Sequence, residues 1–339
     1  MVEALLAVVL ALSLFFIYTD GFQDGSSVSA TAIGCRALTP VQTVAVAATF
    51  EFLGALFGGS AVAYSVVGIT NWPARADLLP VLFCGLSAAI LWNYLTRLLR
   101  LPSSSTHALF GGILGAVFIA EGSAARIIWG QPGNIVDATG VWRVGLSLFV
   151  SPVVGIAFGY ATLQLAQLLL IRATTKVNTY ITGIQWLTVA VLAFSHGAND
   201  SQKAMGVIMM ALKAAGLNDG NEIPLWVRIV TGLAISLGVA SLAPGIVKKV
   251  GSGIFRMRPL DGLASQVSAG SIILGASLTG GPVSTTQVIS SSVMGVGAAE
   301  RFKGVHWLAA QEMLIAWFLT IPGTALTAAV IHEAIFFLH

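Results

Sequence analysis

Two aspartates, Asp24 and Asp200, stand in otherwise apolar surroundings, each inside a short polar motif. The first motif is Asp20-Gly-Phe-Gln-Asp24 and the second is His196-Gly-Ala-Asn199-Asp200-Ser-Gln-Lys203. Two runs of hydroxyls complete the set, Pro102-Ser-Ser-Ser-Thr-His107 and Pro282-Val-Ser-Thr-Thr-Gln287. Proline suits the start of a helix, and serine or threonine there can cap it. The free N–H groups and the positive end of the helix dipole then form an anion site. Ser104, Ser105, Thr106, Ser284, Thr285 and Thr286 would add neutral donors to it. An ionisable group inside a membrane costs at least about 2.5 kcal/mol, so Asp24 and Asp200 read as functional, with Asp20 and Asn199 beside them. Glu51, in the middle of an apolar run, joins this group, with a packed, protonated glutamate as its other reading.

A carboxylate beside an anion repels it unless a cation or a proton enters too. Aspartate and asparagine oxygens can ligate sodium, and a carboxylate can also take up a proton or accept a hydrogen bond from a protonated oxyanion. Asp20, Asp24, Glu51, Asn199 and Asp200 are therefore the candidates for a coupling ion, either a proton or sodium. Lys203 would neutralise Asp200 or help to attract the anion. Hydrogen phosphate has a proton to donate near neutral pH and sulfate does not, which favours phosphate, with sulfate or another tetrahedral oxyanion as the alternative. A lone histidine such as His107 reads as structural. The histidines at 107, 196, 306, 332 and 339 are scattered, so no metal cluster of an enzyme is expected and no cofactor beyond a sodium ion.

The motifs recur in order. Asp24 to Pro102 spans 78 residues and Asp200 to Pro282 spans 82. Each hydroxyl motif leads into a glycine-bearing apolar stretch, Gly111-Gly112…Gly115 or Gly295-Val-Gly297. This is a duplicated fold, expected to divide into 1–172, a connecting segment 173–182, and 183–339. Duplicated halves with matching Gly/Pro interruptions are the pattern of secondary transporters, whose substrate sits at mid-membrane where the repeats meet.

The elements that carry these motifs are membrane helices. Of the 339 residues 56% are hydrophobic and only 9% charged, with a mean hydropathy of +0.87. Seventeen basic and fourteen acidic residues cannot cover a soluble protein of this size, in which about a quarter of residues are charged. Lipid must be the outer solvent. The spacing predicts an all-α integral membrane protein with apolar stretches near 2–18, 41–70, 77–98, 104–122, 141–172, 183–195, 204–214, 224–247, 265–280, 284–299 and 306–338. That gives about 10–12 membrane segments, with breaks expected around 20–35, 101–107, 195–203 and 279–287. Residues 1–18 lack a basic n-region and a cleavage site, so they read as a first membrane segment rather than a signal peptide. The net charge of +3 is no nucleic-acid signal. Pairs such as Arg97/Arg100, Lys248/Lys249 and Arg256/Arg258 read as juxtamembrane anchors, and the positive-inside rule puts 248–262 in the cytoplasm. Cys35 and Cys84 read as packing residues.

At these motifs the chain resembles the inorganic phosphate transporter (PiT) family. Phe194-Ser-His-Gly-Ala-Asn-Asp200-Ser-Gln-Lys203-Ala-Met-Gly206 is similar to that family's second signature, and the two hydroxyl motifs to its paired P-x-S-[ST]-T-[HQ] elements. Asp20–Asp24, Arg36-Ala-Leu and Phe50-Glu51-Phe-Leu-Gly54 resemble its N-terminal signature. The resemblance implies a symporter of inorganic phosphate with sodium or protons, in a multi-pass cell (plasma or inner) membrane protein of two inverted-topology repeats with discontinuous or re-entrant helices. It also implies a homodimer. Ser27 stands where the family usually carries asparagine, which makes it a candidate coupling-ion ligand and puts a two-asparagine sodium site in doubt. Lys203 holds the matching place, as in many bacterial members that resemble proton-coupled transporters, and this favours the proton.

Overall fold

A backbone in hydrocarbon must satisfy its own hydrogen bonds, and here it does so with helices almost throughout. The computed structural model describes residues 2–73, 75–99, 101, 103–133, 137–218, 220 and 222–337. Arg100, Pro102 and His339 lie outside the described residues. Among the described residues are α1 (Val2–Gly34), α2 (Pro40–Phe57), α3 (Ala61–Val67), α4 (Leu78–Leu98), α5 (Ser105–Glu121) and α6 (Gly140–Leu169). There follow α7 (Val177–Ala214), α8 (Leu225–Ala240), α9 (Pro244–Lys248), α10 (Pro259–Thr279), α11 (Thr285–Arg301) and α12 (Trp307–Phe337).

Six of these helices are long and apolar enough to cross a membrane, and α8 with α9, bent by 68°, makes a seventh. α5, of 17 residues, is a shorter apolar helix. Two of the expected breaks are absent. Residues 20–34 continue α1, which has 33 residues, and 195–203 lie inside α7, which has 38, lengths of about 50 and 57 Å. Neither stretch contains proline, and polar side chains alone do not interrupt a helical ladder when neighbouring helices satisfy them. The stretch 41–70 is instead divided, at 58–60, into α2 and α3. The other two breaks are present: chain without helix precedes α5 and α11, and the second break opens at Gly280, whose φ of +77° suits glycine.

α1 and α7 run antiparallel through the centre. The C-terminal end of α1 meets the N-terminal part of α7, where Cys35 Sγ lies 3.2 Å from Gln185 Oε1. At the other end Leu6 and Val9 share a core with Met210, Ala211 and Ala214. Each central helix is crossed by the second helix of the opposite set, at glycines in equivalent places. A Cβ on Gly54 of α2 would fall on the Phe194 carbonyl oxygen, and one on Gly238 of α8 on that of Tyr18. Likewise Gly197 abuts the Glu51 backbone and Gly21 the Ile235 backbone. The two-repeat arrangement is thus built on close backbone contact, as small residues allow in membranes. α4 and α5 form one hairpin and α10 and α11 another, backed by α12 and α6 respectively. Both cysteines are buried and unbridged. Arg97, read as a juxtamembrane anchor, also makes an internal contact: its guanidinium lies 4.1 Å from the centroid of the Phe22 ring.

A methyl group at position 197 must displace the Glu51 backbone, and overpacking of this kind costs about 1–3 kcal/mol. Gly197→Ala should lower the melting temperature of the detergent-solubilised protein, and an unchanged melting curve would contradict the close crossing.

Candidate functional site

The hairpin tips are held against the central helices by side chains that the acidic motifs supply. Gln23 Nε2 donates to Ser103 Oγ at 2.5 Å and to Thr96 Oγ1 and the Ser103 carbonyl at 3.4 Å. In the other half Asn199 Nδ2 donates to the Gly281 carbonyl at 3.1 Å and Ser277 Oγ at 3.2 Å. The residue before each acid is therefore a clamp on its own hairpin. Asn199, expected on a coupling ion, uses its amide N–H groups here, while its Oδ1, the atom that would ligate a cation, has no hydrogen-bond partner among the described residues. Two residues after each acid sits a cap for a broken helix. Ser26 Oγ accepts the Ala243 N–H at 2.7 Å at the start of α9. Gln202 Oε1 accepts the Val62 N–H at 2.8 Å and that of Ala63 at 3.4 Å at the start of α3.

With the tips fixed, the N-termini of α5 and α11 meet. Thr106 Oγ1 of one reaches the Val283 carbonyl before the other at 3.1 Å. Ser104 and Ser284, expected to bind the anion, are the N-caps, accepting the backbone N–H groups of His107 and Gln287. The helices do not begin at proline: Pro282 lies two residues before the cap. Ser104 Oγ also lies 2.6 Å from His107 Nδ1, which gives that histidine a structural partner.

The remaining hydroxyls converge on the two carboxylates. Ser105 Oγ donates to Asp24 Oδ2 at 2.7 Å and Thr286 Oγ1 to Asp24 Oδ1 at 2.5 Å. Thr285 Oγ1 lies between the acids, 3.0 Å from Asp200 Oδ2 and 3.4 Å from Asp24 Oδ2. Ser27 Oγ is 3.4 Å from Thr286 Oγ1. Lys203 Nζ, fully buried, has three oxygen partners: Asp200 Oδ1 at 2.6 Å, Thr106 Oγ1 at 2.5 Å and the Val283 carbonyl at 3.1 Å. All of these polar groups lie within 1% of complete burial.

His196 extends the network, with Nε2 3.2 Å from Asp200 Oδ2 and Nδ1 2.9 Å from Glu51 Oε1. The histidine's link between Glu51 and Asp200 was not read from the sequence. The available signal was its place one helical turn before Asp200, where side chains share a face. Asp20, also fully buried, has neither carboxylate oxygen hydrogen-bonded among the described residues. One ligating atom each from Asp20, Asp24, His196 and Asp200 lies within 4.8 Å of all the others, an arrangement that could hold a cation. The site thus offers two things at once: neutral donors with one ammonium for an anion, and carboxylates for a positive charge.

Residues 20–328 match the Phosphate transporter family. The chain belongs to that family. It is 35% identical over 333 residues to a protein of Bacillus subtilis (strain 168) named "Probable low-affinity inorganic phosphate transporter", covering 97% of this chain and 96% of that one. A Rhizobium meliloti (strain 1021) protein of the same name is 33% identical over 334 residues, with the same shares covered. The fold is that of a solved structure described as "The sodium-dependent phosphate transporter", with a TM-score of 0.86 and 24% identity over 99% of this chain and 100% of that one. This phosphate transporter family member is a multi-pass protein of the cell membrane, and its relatives are transporters rather than enzymes.

In this family member the clamp is open to test. Gln23→Ala removes the donor that holds Ser103 and Thr96, and leaving buried polar groups unsatisfied costs roughly 1–3 kcal/mol each. A lower melting temperature and slowed phosphate uptake are expected; a variant that melts and transports like the parent would remove Gln23 from the clamp.

Proposed function

We propose that this protein is a symporter of inorganic phosphate that couples the anion to protons. The anion would be held by Ser105, Thr106, Thr285 and Thr286, the first N–H groups of α5 and α11, and Lys203, with Asp24 and Asp200 accepting from the protonated oxyanion. Ser104 and Ser284 would act through the caps. The halves 1–172 and 183–339, joined by 173–182, would close on the anion from either side, in a homodimer.

The observation that carries the proton reading is the position of Lys203. Its ammonium rests on a carboxylate, a hydroxyl and a carbonyl, the kind of hard oxygen set that a small cation would use. A tethered cation there discourages a free one by like charge, and leaves proton uptake by the buried carboxylates Asp20, Asp24, Glu51 and Asp200 as the means of balancing the anion. Phosphate is favoured over sulfate because only hydrogen phosphate brings a proton for Asp24 or Asp200. Sodium is the second reading, favoured by the equivalent place in the other half. There Asp24, Thr286 and Ser27 form a carboxylate–hydroxyl group without a lysine, and a relative of the same fold is described as sodium-dependent.

Uptake of radiolabelled phosphate into proteoliposomes under imposed gradients separates the two readings. An inward proton gradient should drive accumulation, sodium should not, and equimolar sulfate should compete weakly. Asp200→Asn should reduce uptake by at least about tenfold, the scale of one lost charge-assisted interaction. Lys203→Asn should make the residual uptake respond to sodium. Flat uptake under both gradients, untouched by Asp200→Asn, would remove the symport reading.

A further inference from the structure

Arg97 and Lys248 belong to no part of the site described so far. Arg97 stands at the end of α4, on the hairpin tip, next to Thr96 of the Gln23 clamp. Its guanidinium lies over Phe22, a buried ring immediately before Gln23 and Asp24. Across from it Ala243, at the turn before α9, and Pro244, Ile246 and Lys248 of α9 complete the lining of an open pocket of about 420 Å³. Lys248 is exposed and Arg97 half-buried.

The charge of this pocket is uncompensated. Its lining carries two cations and no carboxylate, and among the described residues neither Arg97 nor Lys248 forms an ion pair. Their neighbours do: Lys249 pairs with Glu312 at 2.7 Å, and Arg258 pairs with Glu300 and Asp261. The repeat does not call for Arg97 either, because the matching last turn of α10 carries no basic residue. A guanidinium stacked on an aromatic face keeps its planar fork of donors for an oxyanion, and lysine adds a point charge. Such a concentration of one sign in a cleft raises the local density of the opposite ion.

We propose that this pocket is a second phosphate site, weaker than the central one. It forms an anteroom on the face that bears the basic segment 248–258, through which the anion passes to or from Asp24 and Asp200. The inference rests on the phosphate-transport reading above. Its link to the central site is short and physical: Arg97 stacks on Phe22, and Thr96 and Gln23 adjoin both. An anionic lipid headgroup offers the same phosphate chemistry, so the test must separate a free anion from a lipid.

The test uses the full-length chain and the double variant Arg97→Gln/Lys248→Gln. Equilibrium dialysis of labelled inorganic phosphate against delipidated protein in detergent measures binding. Uptake is measured in vesicles of phosphatidylcholine alone and in vesicles that also contain phosphatidylglycerol. With the central site disabled by Asp24→Asn, weak phosphate binding should persist and should vanish when the double variant is added. At low ionic strength and sub-saturating phosphate the double variant alone should take up phosphate about tenfold more slowly, the lower end of electrostatic steering, and added salt should shrink the difference. The defect should be equal in both vesicle types. A double variant that matches the parent in binding and in uptake at every ionic strength overturns the anteroom while leaving the transport reading intact. A defect confined to vesicles with phosphatidylglycerol also overturns it, in favour of a lipid headgroup. A parent protein that takes up no phosphate overturns both readings.

Discussion

The arrangement depends on two carboxylates held, out of water, against the N-terminal ends of two helices. Burial of Asp24 and Asp200 is tolerable only because hydroxyls and an ammonium surround them. Those donors are in place only because each hairpin ends in mid-protein. The free N–H groups of α5 and α11 then point into the same volume, and the helix dipoles favour negative charge there. Each remaining feature serves this meeting. The glycine crossings bring α2 and α8 close enough to fix α7 and α1, and the amides of Gln23 and Asn199 hold the tips. Ser26 and Gln202 cap the short helices beside them.

The two halves repeat the scaffold more faithfully than they repeat the charge. Glycine contacts, clamps and N-caps occur in pairs. Lys203 answers Ser27, His196 answers Asp20, and Glu51 answers Ile235, so the ionisable groups are distributed unequally. Glu51, His196, Asp200 and Lys203 form a chain of alternating acids and bases on one side. On the other, among the described residues, Asp20 has no hydrogen bond and Asp24 only hydroxyl partners. A symmetric cradle suits a tetrahedral anion, and the proton coupling proposed above would draw on the unequal positions, where the titratable groups differ.

Much of this was legible beforehand because membrane chemistry leaves few uses for polar residues. An aspartate or a run of hydroxyls in an apolar segment is expensive, so its presence marks a site, and its repetition marks a duplication. Helix continuity was not legible in the same way. The stretches around Asp24 and Asp200 look like breaks because their side chains are polar, yet breaking is a property of the backbone, and nothing at 20–34 or 195–203 interrupts it. Similar ambiguity hid the roles of single residues. Ser104 and Ser105 are the same amino acid in adjacent positions, but one caps a helix and the other faces Asp24.

The sequence by itself determined that the chain lives in a bilayer, that it is duplicated, and which four motifs set polar groups in apolar surroundings. Composition and spacing suffice for that, since they follow from what lipid excludes. Tertiary structure alone decided which donors meet which acids, that His196 joins Glu51 to Asp200, and that Asn199 grips a hairpin. It also decided that Arg97 lies over Phe22. These are contacts between segments some 70 to 260 residues apart. They depend on how two antiparallel helices are crossed, and no local pattern of residue types encodes that.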